Sequence, residues 1–220
     1  MSIALRGNVQ YLSNTGAMPT HQAGDLLLMF AWNDGSATAP TIPSGWVTRF
    51  NVGATTGTVV CAYKIAQSNA EAFGTWTNAD HVSMTSWYGA ANTTIQPHFI
   101  SGGSGTSTTM SWALQTAGTF QTGAEDQVLV SWGANRNTTN NLAQTLGALT
   151  NLFDQGDGLN FQVAVKYQLA RSTIWSATSL TLATSSFWRA LMISLVEQTA
   201  YGVTGGGSVR HPSGFNGGFL

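Results

Sequence analysis

The chain has 220 residues and a mass of 23.2 kDa, a length that suits a single all-β domain. Only 8% of its residues are charged and the formal net charge is -1, against about 25% charged in a typical soluble domain. Such a chain offers no basic field for nucleic-acid phosphates and no acidic field for cations, and its 8 Trp, 10 Phe and 5 Tyr exclude intrinsic disorder.

Taken in chain order, the first expected strand is Ala4 to Leu12. Asp25 to Trp32 follows, with Leu26, Leu28, Phe30 and Trp32 on one face and Leu27, Met29 and Ala31 on the other. Two apolar faces mark a strand covered on both sides. Gly45 to Asn51, Thr58 to Ile65 and His81 to Tyr88 come next, then Thr93 to Ile100 and Thr108 to Leu114. Gln127 to Trp132 and Leu146 to Phe153 precede the clearest case, Phe161 to Leu169. There Phe161, Val163, Val165, Tyr167 and Leu169 alternate with Gln162, Ala164, Lys166 and Gln168, a period of two rather than 3.6. Ser179 to Ala183 and Trp188 to Val196 close the series. Turn-rich stretches separate these runs, among them Asn33-Asp34-Gly35, Pro43-Ser44-Gly45 and Asp154 to Gly158. Short strands with such spacing predict an all-β fold, a jelly-roll-like antiparallel β-sandwich.

The two halves echo one another at an offset near 100 residues. Residues 24–32 resemble 125–133, Trp46 to Asn51 resembles Leu149 to Asp154, and Ala62 to Ala66 resembles Lys166 to Ala170. His81 to Trp87 is answered by Trp188 to Ser194. These echoes predict a pseudo-symmetric sandwich whose halves share one core. The alternative is that any two halves of an alternating β protein look alike. Residues 1–200 are read as one sandwich domain and 201–220 as a glycine-rich arm. Val209, Phe215, Phe219 and Leu220 are the arm's candidate anchors, and a loose terminus is the alternative.

Chemistry-bearing motifs are sparse. His21, His81, His98 and His211 form no metal-ligand spacing. Asp154 to Gly158 departs from a calcium loop, because Val165 stands where the twelfth-position glutamate belongs. No nucleophile elbow, dinucleotide fingerprint or phosphate-binding loop is present. Cys61 reads as a small buried hydrophobe. Lys64 and Lys166, the only lysines, are expected to reach the sandwich surface from echoed positions. Most tryptophans fall within strand patterns and are expected in the core. Trp32 and Trp76 border loops and are the candidate platform for stacking on a sugar ring. No catalytic residue, metal or cofactor is expected. No run of about 18 apolar residues exists, so no membrane-spanning helix is expected, and Met1 to Gly7 lack the apolar core of a signal peptide.

The run AGDLLLMFAW, then PTIPSGWVTRF, then TGTVVCAYKIAQSNAEAFGTWT resembles a family of tailed-bacteriophage virion proteins. The residues that carry the resemblance are Gly24, Asp25, Leu26, Leu27, Pro43, Gly45, Trp46, Tyr63, Lys64, Ala66, Glu71, Trp76 and Thr77. The later SSFWRALMISL resembles that family's closing strand, so the likeness spans roughly residues 20–200. It departs from the pattern at Ile42, where a second proline is usual, and in the glycine-rich tail. The resemblance implies a non-catalytic β-sandwich component of a tail, fibre, spike or head decoration. The implied partners are further copies of the chain, with a trimer favoured, and other virion proteins. The implied location is the virion, assembled in the host cytoplasm. A carbohydrate-binding module for bacterial surface polysaccharide and a jelly-roll glycoside hydrolase are the alternatives.

Overall fold

The computed structural model describes residues 3–90, 98–112, 126–137, 142, 144, 149–171 and 178–196. Among the described residues there is no helix. The strands are β1 (Ala4–Tyr11), β2 (Leu26–Asp34), β3 (Val47–Ala54), β4 (Gly57–Ile65), β5 (His81–Tyr88), β6 (His98–Trp112), β7 (Asp126–Asn135), β8 (Thr150–Gly156), β9 (Gln162–Arg171) and β10 (Thr178–Val196). Among the described residues the twelve expected runs become ten strands. The parts of Thr93 to Ile100 and Thr108 to Leu114 that are described belong to β6, and Ser179 to Ala183 joins Trp188 to Val196 in β10. The pairing of β10 with β6 is irregular between Thr181 and Ser186, where the sequence reading placed a break.

All pairings are antiparallel, in two five-stranded sheets ordered β1-β5-β2-β4-β3 and β6-β10-β7-β9-β8. The expected all-β sandwich is what forms. Each sheet uses five consecutive strands, and the chain passes from one sheet to the other between β5 and β6. A jelly roll instead winds two Greek keys through its double sheet.

The second sheet repeats the first, strand for strand. Leu28 lies opposite Tyr63 of β4 and Thr85 of β5, and Val130 lies opposite Tyr167 of β9 and Ile193 of β10. Matching those registers makes Phe30 equivalent to Trp132, Asp34 to Arg136, His81 to Arg189 and Gly57 to Phe161. The third strand of each sheet even bulges at the same place, with Arg49 the extra residue in β3 and Leu152 in β8.

The structural match corrects two details of the sequence echo. The sequence echo of residues 24–32 in 125–133 pairs Ala31 with Trp132. The true match is one residue away, and a one-residue slip exchanges the inner and outer faces of a strand. The β4/β9 echo was in register at Tyr63 and Tyr167, so Lys166 answers Ala62 rather than Lys64.

A central core joins the inner faces of both sheets. Leu26, Leu28, Phe30, Trp32, Val59, Cys61 and Trp87 meet Val128, Val130, Trp132, Val163, Val165, Leu191, Ile193 and Leu195. The outer faces are covered too. Trp46, Phe73 and Trp76 lie over Leu27, Met29, Ala31 and Met84. On the second sheet Met110, Trp112, Leu142, Leu149 and Leu180 cluster with Leu129, Ala164, Ala190 and Met192. That explains the double apolar pattern of β2. Gly57 is required by packing, since a Cβ there would stand 2.1 Å from the Trp32 ring.

Candidate functional site

A cleft of about 340 Å³ with convergent polar groups lies at one end of the sandwich, lined by Leu12, Asp34, Asp80, Asp157, Asn160 and Phe161. It lies where β2 ends, where β5 begins, and beside the β8–β9 turn. The two sheets meet there through an ion pair. Arg136 Nε lies 3.1 Å from each Asp34 carboxylate oxygen, and its N–H is aligned on Oδ2. Oδ1 is buried without a hydrogen bond.

Asp80 fixes Asp34 from the other side. The Asp34 N–H donates to Asp80 Oδ2 at 2.7 Å, and the Asp80 N–H donates to the Trp32 carbonyl at 2.8 Å. Burial raises the Asp34 carboxyl above its ordinary value. Arg136 opposes that rise, and the negative charges of Asp80 and Asp157 reinforce it.

Asp157 behaves differently. Its Oδ1 accepts the N–H groups of Leu159, Asn160 and Phe161, at 2.9, 2.6 and 3.1 Å. Its Oδ2 accepts the Asn160 amide at 2.8 Å. Partial burial pushes this carboxyl up, but the four hydrogen bonds outweigh it and hold the group at about 2. The carboxylate thus closes its own turn, as the turn reading of Asp154 to Gly158 expects.

The cleft is therefore acceptor-rich and acidic, with apolar walls from Leu12 and Phe161. It suits hydroxyl or ammonium donors and repels anions. Among the described residues no group of three His, Cys, Asp or Glu side chains is placed to hold a metal ion. His81 sits behind the cleft wall, edge-on to Phe161 with centroids 6.2 Å apart. Its nitrogens are buried and have no hydrogen-bond partner, and burial lowers it to about 3, so it is neutral at ordinary pH. Burial raises the Cys61 thiol far above its usual value, which keeps it unreactive.

The expected sugar platform is not formed. Trp32 and Trp76 are both 0% exposed. Trp32 points inward from β2 and packs against Trp132, with centroids 5.7 Å apart. Trp76 is held under Trp46 at 5.2 Å, and its indole N–H donates to the Phe73 carbonyl. Neither can offer a ring face to a ligand. Val209, Phe215, Phe219 and Leu220 lie outside the described residues.

The lysines also part company. Lys64 forms a salt bridge with Glu71 and lies 5.4 Å over the Trp46 ring. Lys166 is 2% exposed instead of reaching the surface. The cleft itself was missed by sequence reasoning, which took Asp34 and Asp157 as turn residues. Nothing in a linear pattern shows that two turns from different halves meet. No family model matches the chain, and neither a curated protein nor a solved structure matches it.

Proposed function

We propose that the protein is a non-catalytic structural component of a bacteriophage virion that acts as an oligomer. The observation that carries this reading is the pair of equivalent five-stranded halves locked face to face through one core. Such a body is rigid, because neither half can move without opening the central core. Its low charge limits the desolvation cost when copies meet. The likeness of residues 20–200 to phage virion proteins supports the same reading, and a trimer with the 201–220 arm docked on a neighbour is the favoured assembly.

The test is the particle. Peptide mass spectrometry and antibody-gold labelling of purified virions from the producing host are expected to find the chain at fixed stoichiometry. Light scattering of the pure protein is expected to give an oligomer. Absence from particles together with a monomer in solution overturns the proposal.

Carbohydrate binding is the second reading, and the acidic cleft is what favours it. Carboxylate acceptors beside Leu12 and Phe161 match the hydroxyls and apolar face of a sugar ring. A glycan array with wild type and Asp80→Ala tests it: binding lost in the variant supports the cleft, and no binding by wild type removes the reading.

A further inference from the structure

Lys166 is the one lysine buried without a carboxylate in ion-pair contact among the described residues. It stands on the outer face of the second sheet, opposite Ser131 of β7 and Asn151 of β8. Lys166 shares a small pocket with Met110, Trp112, Leu142, Ala164 and Leu180, with Gly133 and the Ser131 hydroxyl as the remaining lining. Its Nζ donates to Asn151 Oδ1 at 3.0 Å. A charged amine in such a pocket loses more hydration than one neutral amide restores. Burial accordingly lowers the Lys166 ammonium below its ordinary value, against a smaller opposing pull from Asp154. Asp154 is on the same outer face of the hairpin, opposite Ala164.

We propose that Lys166 and Asn151 are the partners of an intramolecular isopeptide bond that staples the edge strand β8 to β9. The reaction needs an amine that sheds its proton, which burial of Lys166 eases, a carboxamide already within contact, which Asn151 supplies, and a carboxyl group on the same face to relay a proton, which is Asp154. The Nζ lone pair attacks Asn151 Cγ and forms the new C–N bond. The original Cγ–Nδ2 bond breaks and its electron pair leaves with nitrogen. One proton passes from Nζ to that nitrogen, relayed by Asp154, and ammonia departs. Atoms and electrons balance with no oxidant or co-reactant. The amine end is buried, whereas Asn151 is at the exposed sheet edge, so the ammonia has a path to solvent. The bond would secure β8, which among the described residues has β9 as its only strand neighbour and which, as an edge strand, is otherwise the easier to peel away.

Intact-mass measurement of the full-length protein tests this directly. The expected mass is lower than the sequence mass by one ammonia. Proteolysis is expected to release a branched peptide joining the Asn151 and Lys166 segments. Asn151→Ala, which removes only a carboxamide at the sheet edge, and Lys166→Met are expected to run at their full sequence masses. The wild-type measurement stands by itself should Lys166→Met fail to fold. A wild-type protein that keeps its full mass after prolonged incubation at alkaline pH, with no branched peptide, overturns the proposal. A mass loss that persists in Asn151→Ala does so too.

Discussion

Phe30 and Trp132 hold equivalent positions in the two halves and stack on each other across the core, with ring centroids 6.0 Å apart and planes 16° from parallel. A residue packed on its own counterpart lies beside a local two-fold axis. Other contacts obey the same axis. Asp34 pairs with its equivalent, Arg136. The contact of His81 with Phe161 is answered by Arg189, whose Nε donates to the Gly57 carbonyl at 3.0 Å. The axis runs along the strands, so β2 and β7 face one another at the same height. Each half presents to the other the face that its counterpart presents back, as an isologous dimer does.

Trp132→Ala is expected to lower stability by about 3–5 kcal/mol, because a large buried ring leaves a cavity that two packed sheets cannot close. With Phe30→Ala in a double-mutant cycle, the stacked pair is expected to show coupling of about 0.5–1.5 kcal/mol. Urea melts of the four proteins measure it. Strict additivity would show that the two rings touch without supporting each other.

His81 makes stability depend on pH. It is fully buried and its pKa falls from 6.5 to about 3 because burial disfavours the cation. Between those values the unfolded chain binds a proton at this site and the folded chain does not. Stability is therefore complete above 6.5 and is lost as pH falls toward 3, by about 1.4 kcal/mol per pH unit within that window. His81→Leu is expected to flatten this part of the profile. Denaturant melts from pH 7 to pH 4 on both proteins decide it, and equal slopes would exclude His81 as the source.

Much of this architecture is legible in the residues, for a physical reason. Strand alternation is local, so Phe161 to Leu169 announces β9 without help from elsewhere. The echo of Trp46 to Asn51 by Leu149 to Asp154 is in true register, and it marks the shared bulge of β3 and β8. What fails is whatever depends on a third element. Trp32 and Trp76 border loops in the sequence, yet the opposite sheet buries one and Trp46 buries the other. Lys166 follows an alternating pattern that reads as surface, but the neighbours that bury it come from β6, β7 and β10. The cleft joins Asp34 to Asp157 across the sheet interface, and no local pattern records that meeting.

Trp46 tests the outer shell of the first sheet. It is 9% exposed, meets Trp76 edge-on and carries the Lys64 ammonium over its ring. Trp46→Ala is expected to cost about 3–5 kcal/mol, comparable to a central core aromatic. A loss below about 1 kcal/mol in urea melts would mean that the shell is dispensable to the sandwich.

The Asp34–Arg136 contact is expected to matter more for charge than for stability. The Arg136 side chain is 38% exposed, so solvent screens the pair, and Arg136→Ala is expected to cost less than about 1 kcal/mol. The same change removes the influence that opposes burial at Asp34. Its carboxyl is then expected to titrate higher than in wild type, since burial, Asp80 and Asp157 all push it upward. Carboxyl-carbon NMR titration reads this, and an Asp34 resonance that keeps its midpoint would remove Arg136 as its partner in solution.

The shared core sets a final expectation for the halves apart. Residues 1–90 contain all five strands of the first sheet with its outer cover. Alone, they expose Leu26, Leu28, Phe30, Trp32, Val59, Cys61 and Trp87, which the second sheet otherwise covers. Each large aliphatic or aromatic side chain uncovered forfeits about 1.5–3 kcal/mol, and over the six of them the sum is comparable to the whole stability of an ordinary domain, about 5–15 kcal/mol. The fragment is therefore not expected to exist as a folded monomer. Mixed with residues 98–196, it is expected to recover a cooperative melt, because the complementary face is restored. Light scattering and amide NMR of the fragment alone and of the mixture test both statements. A monomeric 1–90 fragment with dispersed amide signals would show that each sheet folds on its outer shell alone and that the central core is only an interface.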